Sequence, residues 1–347
     1  MKQKRILIVR QDRIGDVVLS TPIPKAVKKQ WPDSFVAVLV RNYTKPIYLN
    51  NPYIDEIILS EDIEWKGFGD FFRKIKFIRK FKFTHALMLL PSERINYLLF
   101  FAGIKTRIGV GYKFYQFISF VKGVSRHKYI PLKHEADYCM DLARKIGIET
   151  NDLSTEIYLT DSEKEEVKRI RKNYFDGKKI LVGIHTTNGN SAPNFTEEKY
   201  FQLISELQKT NSFKIFITDN SIPIKLQNIE GVEYPDINSD LRKTILNIAA
   251  LDCLISSSTG PMHLAAALKV KTISLFCPLT ACSPKLWGPS GNINKIILPQ
   301  KNYCSLKCPG DPKICTYSGE ENLMIERIIK SLKELFINNA CLKLVTD

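Results

Sequence analysis

Three short segments of this 347-residue chain place chemically active side chains where an apolar run gives way to a polar turn. In the first, RQDRIGDVV (Arg10 to Val18), Gly15 permits a tight turn or close backbone approach, and Asp16 stands where a helix would start. A carboxylate there acts either as a cap on the helix or as a general base, with Arg10 and Arg13 drawing in an anionic substrate. Asp12 is the alternative base. The second segment, SSSTGPMHLAAAL (Ser256 to Leu268), holds Ser258, Thr259, Gly260, Pro261, Met262 and His263 at another strand-to-helix transition. A glycine followed by proline at the first helical turn leaves the next amides free, and small hydroxyl side chains add donors, which makes a phosphate cradle. His263 reads as a phosphate contact or as part of the cap. The third, HTTNGN (His185 to Asn190), offers Thr186 and Thr187 as a second anion contact or an ordinary turn.

The elements that must carry these segments alternate. Lys4 to Arg10, Phe35 to Val40, Glu56 to Leu59 and Ala86 to Leu90 read as strands. Helical runs lie between and after them, at Asp16 to Gln30, near Thr44 to Leu49, at Phe71 to Lys80 and at Ile95 to Ala102. A second series follows: strands at 180–184, 214–217, 253–255 and 272–276, with helices at 197–208, 241–251 and 261–268. Such alternation predicts an α/β protein with two Rossmann-like parallel-sheet lobes and a cleft between them, ligands binding at the carboxyl ends of the strands. The expected divisions are residues 1–155, 156–320 and a C-terminal helical segment, 321–347, packing back on the first lobe. The linker lies between Gly147 and Leu159.

Charge is uneven. Residues 1–150 hold 27 Lys and Arg against 14 Asp and Glu, so nearly all of the net +15 lies in the first half. That field attracts nucleic acid, an acidic membrane surface or a phosphorylated substrate. No nucleic-acid-binding motif accompanies it, so nucleic acid is not an expected partner. The segment FFRKIKFIRKFK (Phe71 to Lys82) has six basic and no acidic residues. As a helix it puts Phe71, Ile75 and Ile78 on one face and Arg73, Lys76 and Lys80 on the other, suiting either anionic lipid or a core-packed helix with a solvated basic face. No apolar run approaches a bilayer's thickness, and the first residues lack a signal peptide's apolar region, so a cytoplasmic protein is expected.

Cysteines and missing motifs narrow the chemistry further. Eight cysteines without a secretory signal read as reduced thiols. Cys304, Cys308 and Cys315 would hold a metal only with a fourth ligand from elsewhere, and no metal or cofactor is expected. Neither GxGxxG after the first strand nor GxxxxGK[ST] occurs, which disfavours a dehydrogenase and excludes a P-loop NTPase.

The order of ILIVRQDRIGDVVLSTP (Ile6 to Pro22), RIG (Arg107 to Gly109), GIH (Gly183 to His185) and STGPMHLAAAL (Ser258 to Leu268) resembles the ADP-heptose:lipopolysaccharide heptosyltransferases, glycosyltransferase family 9. The resemblance implies a GT-B fold, with acceptor in the first lobe and nucleotide-sugar donor in the second. It further implies inverting, metal-independent transfer onto a phosphorylated lipopolysaccharide core, an anionic glycolipid, by an enzyme peripheral on the inner face of the cytoplasmic membrane. By position Asp16 matches the base, Thr259, Gly260 and His263 the segment holding the donor diphosphate, and Thr186 and Thr187 the other phosphate contact; Ser258, Pro261 and Met262 belong to the same candidate diphosphate segment, and Arg10, Arg13 and Gly15 are the candidate acceptor side. Ser258 stands where many members have Asp, and Pro193 and Phe195 where many have Lys and then an aromatic. The alternatives are a transferase using another nucleotide-sugar, or a non-catalytic binder of nucleotide or glycan on the same scaffold.

Overall fold

A computed structural model describes residues 3–174 and 179–336, which divide into two compact units, 1–159 and 160–347. The first unit's sheet comprises β1 (Arg5–Val9), β2 (Phe35–Val40), β3 (Glu56–Leu59), β4 (His85–Met88), β5 (Thr106–Val110) and β6 (Lys122–Val124). These strands are all parallel, in the order β3-β2-β1-β4-β5-β6. The second unit has β7 (Ile180–His185), β8 (Phe213–Ile217), β9 (Val232–Glu233), β10 (Cys253–Ser257), β11 (Lys271–Leu275) and β12 (Asn294–Ile297). Its order is β12-β11-β10-β7-β8-β9, also parallel throughout. Numbered from its own first strand, each sheet runs in the doubly wound order.

Parallel sheets covered on both faces need strands that are apolar at every position, and Ile6, Leu7, Ile8 and Val9 are all buried in that way. In each sheet the chain reverses direction beside its first strand, between β1 and β4 and between β7 and β10. The carboxyl ends of those strand pairs are where an open α/β sheet forms a ligand crevice. Arg10 to Asp16 leave β1, His185 to Thr187 end β7, and Ser256 to Gly260 leave β10, so all three motifs sit at these reversal points.

One element departs from expectation. The run Asp16 to Gln30 is not one helix but two, Ile14–Val18 and Pro22–Gln30. The Ser20 and Thr21 hydroxyls turn back onto the carbonyls of Val17 and Val18 at 2.7 and 2.8 Å. Pro22 and Pro24 then withhold the amides that would continue the first helix, and proline at the first position starts the second. The basic helix, Phe68–Lys80, buries Ile75 and Ile78 and leaves Arg73, Lys76 and Lys80 exposed, so its apolar face belongs to the core. The C-terminal helix, Glu321–Phe336, packs Met324, Ile325, Ile328, Leu332 and Leu335 into the core of the second unit.

The family-like motifs away from the strand ends are structural. Arg107 is buried, donates to the carbonyls of Ile104 and Ser119, and lies over the Phe100 ring. A Cβ on Gly109 would lie 2.9 Å from Gln116 Nε2 and 3.1 Å from Val121 Cγ1, so glycine leaves room for the Gln116 side chain that ties the helix Phe114–Ile118 to the end of β5. Gly183 likewise leaves room for Leu251, whose Cδ1 would lie 2.4 Å from an added Cβ. Gly183→Ala is therefore expected to lower stability by about 1–3 kcal/mol through overpacking, measured by urea denaturation, with Leu251→Val recovering part of the loss.

Candidate functional site

In the first unit the site is organised by a buried cation. Arg10, only 2% exposed, follows the central strand β1 and is held there by its amide on the Leu39 carbonyl at 3.0 Å. Its Nη2 donates to Asp16 Oδ1 at 2.8 Å and to Glu135 Oε1 at 3.0 Å, and its Nη1 donates to the Leu89 carbonyl at 3.1 Å. Nε lies 3.2 Å from Asp12 Oδ2 as an ion pair outside hydrogen-bond geometry. Arg126 closes the far side on Glu135 at 3.0 Å. Arg10 thus positions carboxylates and is not open to a ligand, whereas Arg13 is exposed.

Asp16 sits in the first turn of the helix Ile14–Val18 and does not cap it; Arg13 is at the N-cap, without a side-chain bond. Burial pushes the Asp16 carboxyl above the ordinary aspartate range, against the pull of Arg10 and with a further push from Glu135. The same burial raises Asp12 to about 6, again opposed by Arg10. Both carboxyls are therefore better proton acceptors than an exposed aspartate, which is what a general base requires. Beyond Gln11, the carboxyl ends of β1 to β4 open onto a cavity of about 460 Å³, lined also by Arg41, Ser60, Glu61, Leu90 and Ser92.

The second unit is organised by a buried anion. Asp219, fully buried after β8, accepts from the amides of Thr186 and Thr187, both at 2.8 Å, and from their hydroxyls at 2.9 and 2.6 Å. His185 Nε2 lies 3.5 Å from the same carboxylate, with Nδ1 near the Thr218 carbonyl and hydroxyl. Thr186 and Thr187, expected as a phosphate contact, thus direct all four donors to a protein carboxylate.

The segment after β10 differs. The helix Gly260–Ala267 has Thr259 at its N-cap with no side-chain bond, and Pro261 in its first turn. Its leading amides are therefore not spent on a cap, and they are the donors a diphosphate would use. Ser258, Thr259, Gly260 and Pro261 are partly exposed, while Met262 and His263 are buried beneath them. The hydroxyls of Ser256 and Ser257 are buried without a hydrogen-bond partner among the described residues, two further donors at the same strand end.

The sequence motifs do not single out Glu135, Arg126 or Cys139 around Arg10. Glu135 lies 125 residues from Arg10 in sequence and opens the helix Glu135–Arg144, where it resembles any acidic first-turn residue. All seven described cysteines are free thiols; Cys341 lies outside the described residues. Cys277 lies beside Cys282 and Cys304, and Cys304 beside Cys308. Among the described residues no group of three or more His, Cys, Asp or Glu is placed to hold a metal ion.

Replacing Arg10 by Met would strand three carboxylates around an apolar side chain and is expected to cost about 3–5 kcal/mol in chemical denaturation. Burial also gives the Asp12 proton a pH-dependent share in stability. The folded state holds that proton more tightly than the unfolded chain does, so the associated stability is present below pH about 4 and lost as pH rises through about 6. Asp12→Asn should flatten that slope in stability measured across the same range.

The model of glycosyltransferase family 9 (heptosyltransferase) matches residues 72–311, more than half of the chain. A Haemophilus influenzae protein provisionally named a glycosyltransferase is 25% identical over 97% of both chains. Lipopolysaccharide heptosyltransferase 3 of Escherichia coli is 22% identical over 80% of this chain and 84% of its own. Among solved structures, a family 9 glycosyl transferase from Veillonella parvula superposes with a TM-score of 0.77 at 17% identity, covering 96% of this chain and 97% of that one. Two doubly wound parallel units built around these motifs have the GT-B fold, and the chain belongs to glycosyltransferase family 9, the heptosyltransferase family.

Proposed function

We propose that this glycosyltransferase moves a heptose from an ADP-sugar onto the anionic core of a lipopolysaccharide or a related bacterial glycan, with inversion and without a metal ion. The observation that carries the reading is the Asp16 carboxylate: partly buried, raised in proton affinity and fixed at 2.8 Å by a guanidinium that is itself pinned by Glu135. The acceptor would enter the cavity beside Gln11, with Arg13 and Arg41 meeting its negative charge.

In the reaction an acceptor hydroxyl oxygen attacks the anomeric carbon from the face opposite the diphosphate. The carbon–oxygen bond to the diphosphate breaks, ADP leaves with the electron pair, and Asp16 takes the hydroxyl proton. The charge developing on the diphosphate falls to the amides and hydroxyls from Ser256 to His263, donors already in place before the reaction begins. Asp219 shapes the Thr186–Thr187 turn; a phosphate could use those donors only by displacing that carboxylate. The relatives named as lipopolysaccharide heptosyltransferases support the sugar and the acceptor class. A cytoplasmic enzyme, peripheral on the inner membrane face, fits this acceptor, and among the described residues no helix is long and apolar enough to cross a membrane.

Asp16→Asn keeps the shape of the Arg10 cluster and removes the base, so transfer is expected to fall about 10²–10⁴-fold while ADP affinity stays unchanged. Near-normal transfer in that variant would assign the proton to another group. Thermal shift against ADP, UDP, GDP and CDP tests the donor, the expected result being the largest rise with ADP.

A further inference from the structure

The helix Phe114–Ile118 and the turn after it are inside out. Gln116 and Ser119 are 3% and 1% exposed, whereas Phe114, Phe117 and Phe120 are 79%, 80% and 78% exposed. The inversion is locked by hydrogen bonds. Gln116 Nε2 donates to the Val110 carbonyl at 3.1 Å, its Oε1 accepts from the Lys113 amide at 2.8 Å, and Asn96 donates to Ser119 Oγ at 2.7 Å. Arg107 adds a bond to the Ser119 carbonyl. Three phenylalanines are thus held out to solvent by a polar underside, where the hydrophobic effect alone would turn the helix over. The neighbouring helix Glu93–Phe101 contacts both this element and the basic helix Phe68–Lys80, whose Phe68 and Phe72 are also exposed.

We propose that this aromatic edge is the surface by which the first unit enters an anionic lipid bilayer, with Phe114, Phe117 and Phe120 in the interfacial layer and the surrounding lysines and arginines on the headgroups. The charge selects the occupant. Residues 66–126 carry 13 Lys and Arg against 2 Asp and Glu; even with Arg107 buried and Arg126 paired to Glu135 the segment keeps a strong positive surplus, so a second copy docking through it would set like charges against each other. An anionic bilayer meets both features at once, since interfacial segments combine inserted aromatics with basic side chains at headgroup level. The inference rests on the reading of this chain as a membrane-peripheral transferase, and it names the part that docks.

The test uses the full chain with two variants, Phe117→Trp and the triple variant Phe114→Ser, Phe117→Ser, Phe120→Ser. These side chains are exposed, so thermal unfolding of both variants should match the parent. With phosphatidylglycerol-containing vesicles, Phe117→Trp is expected to show added, blue-shifted emission that brominated lipid quenches, while pure phosphatidylcholine vesicles give little change. The triple variant should float with the anionic vesicles about tenfold less than the parent, and salt should weaken parental binding. Unmoved Trp emission, or equal flotation of triple variant and parent, would overturn the proposal. So would a parent dimer that the triple variant converts to monomer without either protein binding vesicles. Transfer to a water-soluble, deacylated acceptor separates this idea from the catalytic one. The triple variant should keep that activity and lose transfer to vesicle-borne acceptor, whereas failure of the parent on both acceptors counts against the assigned reaction and leaves the vesicle result standing.

Discussion

The first unit depends on one buried guanidinium. Arg10 has left water almost completely, and a cation can do so only among groups that return the lost solvation. It finds Asp16, Glu135 and Asp12, a carbonyl and a thiol, drawn from the end of β1, the following helix, the loop after β4 and the helix Glu135–Arg144. Burial opposes the arginine's charge, and the three carboxylates around it more than offset that, so it stays protonated at any ordinary pH. Such a cluster is weak evidence for stability, since apolar packing of equal volume would serve as well. What it gives instead is direction. The Asp16 carboxylate cannot turn away without leaving Arg10 less compensated, so the orientation of the proposed base is set by Arg10 and, through it, by Glu135, which is distant only in sequence.

The second unit solves the matching problem with the opposite sign. Asp219 is as buried as Arg10, and it is compensated by two backbone amides and two hydroxyls of the turn that ends β7. A carboxylate there does what a bound anion would do, drawing the amides of Thr186 and Thr187 to one point. The turn after β10 receives no such internal anion. One reversal point of the second sheet therefore carries both a filled anion nest and, beside it, a helix start that its N-cap residue Thr259 does not cap with a side-chain bond, and this difference favours the helix start as the phosphate-binding side.

What could be read in the sequence follows from what is local. Strands of a two-sided parallel sheet announce themselves as continuous apolar runs, and those from Arg5–Val9 to Lys271–Leu275 that were expected lie within a residue or two of the observed ones. The Ser258–His263 turn was legible because glycine, proline and small hydroxyls share a few consecutive positions. Arg10 was legible as a charged residue at a strand end, but its partner Glu135 was not, because only tertiary folding brings the helix Glu135–Arg144 to β1. The break after Val18 is marked in the sequence by Pro22 and Pro24, whereas the bonds by which the Ser20 and Thr21 hydroxyls close the first helix are visible only in the fold. At Phe114, Phe117 and Ile118 the spacing is that of a buried helical face, and all three are exposed. Spacing reports which residues share a face. It does not report whether water, protein or lipid lies opposite.

That distinction changes how the charge of the first unit is understood. A basic half-chain suggests cations gathered around an anionic substrate, yet the arginine at the strand end is neutralised by its own carboxylates, and the local ensemble of Arg10, Arg126, Asp12, Asp16 and Glu135 carries no surplus of positive charge. The surplus lies instead along residues 66–126, on the helices beside β4 and β5 and in the loops that follow. A buried cation must be compensated within the fold, whereas exposed lysines on the flank can be compensated from outside it. Fixing a base requires the first arrangement and attracting an anionic surface requires the second, so the same unit can hold a nearly balanced site and a strongly basic face without either cancelling the other.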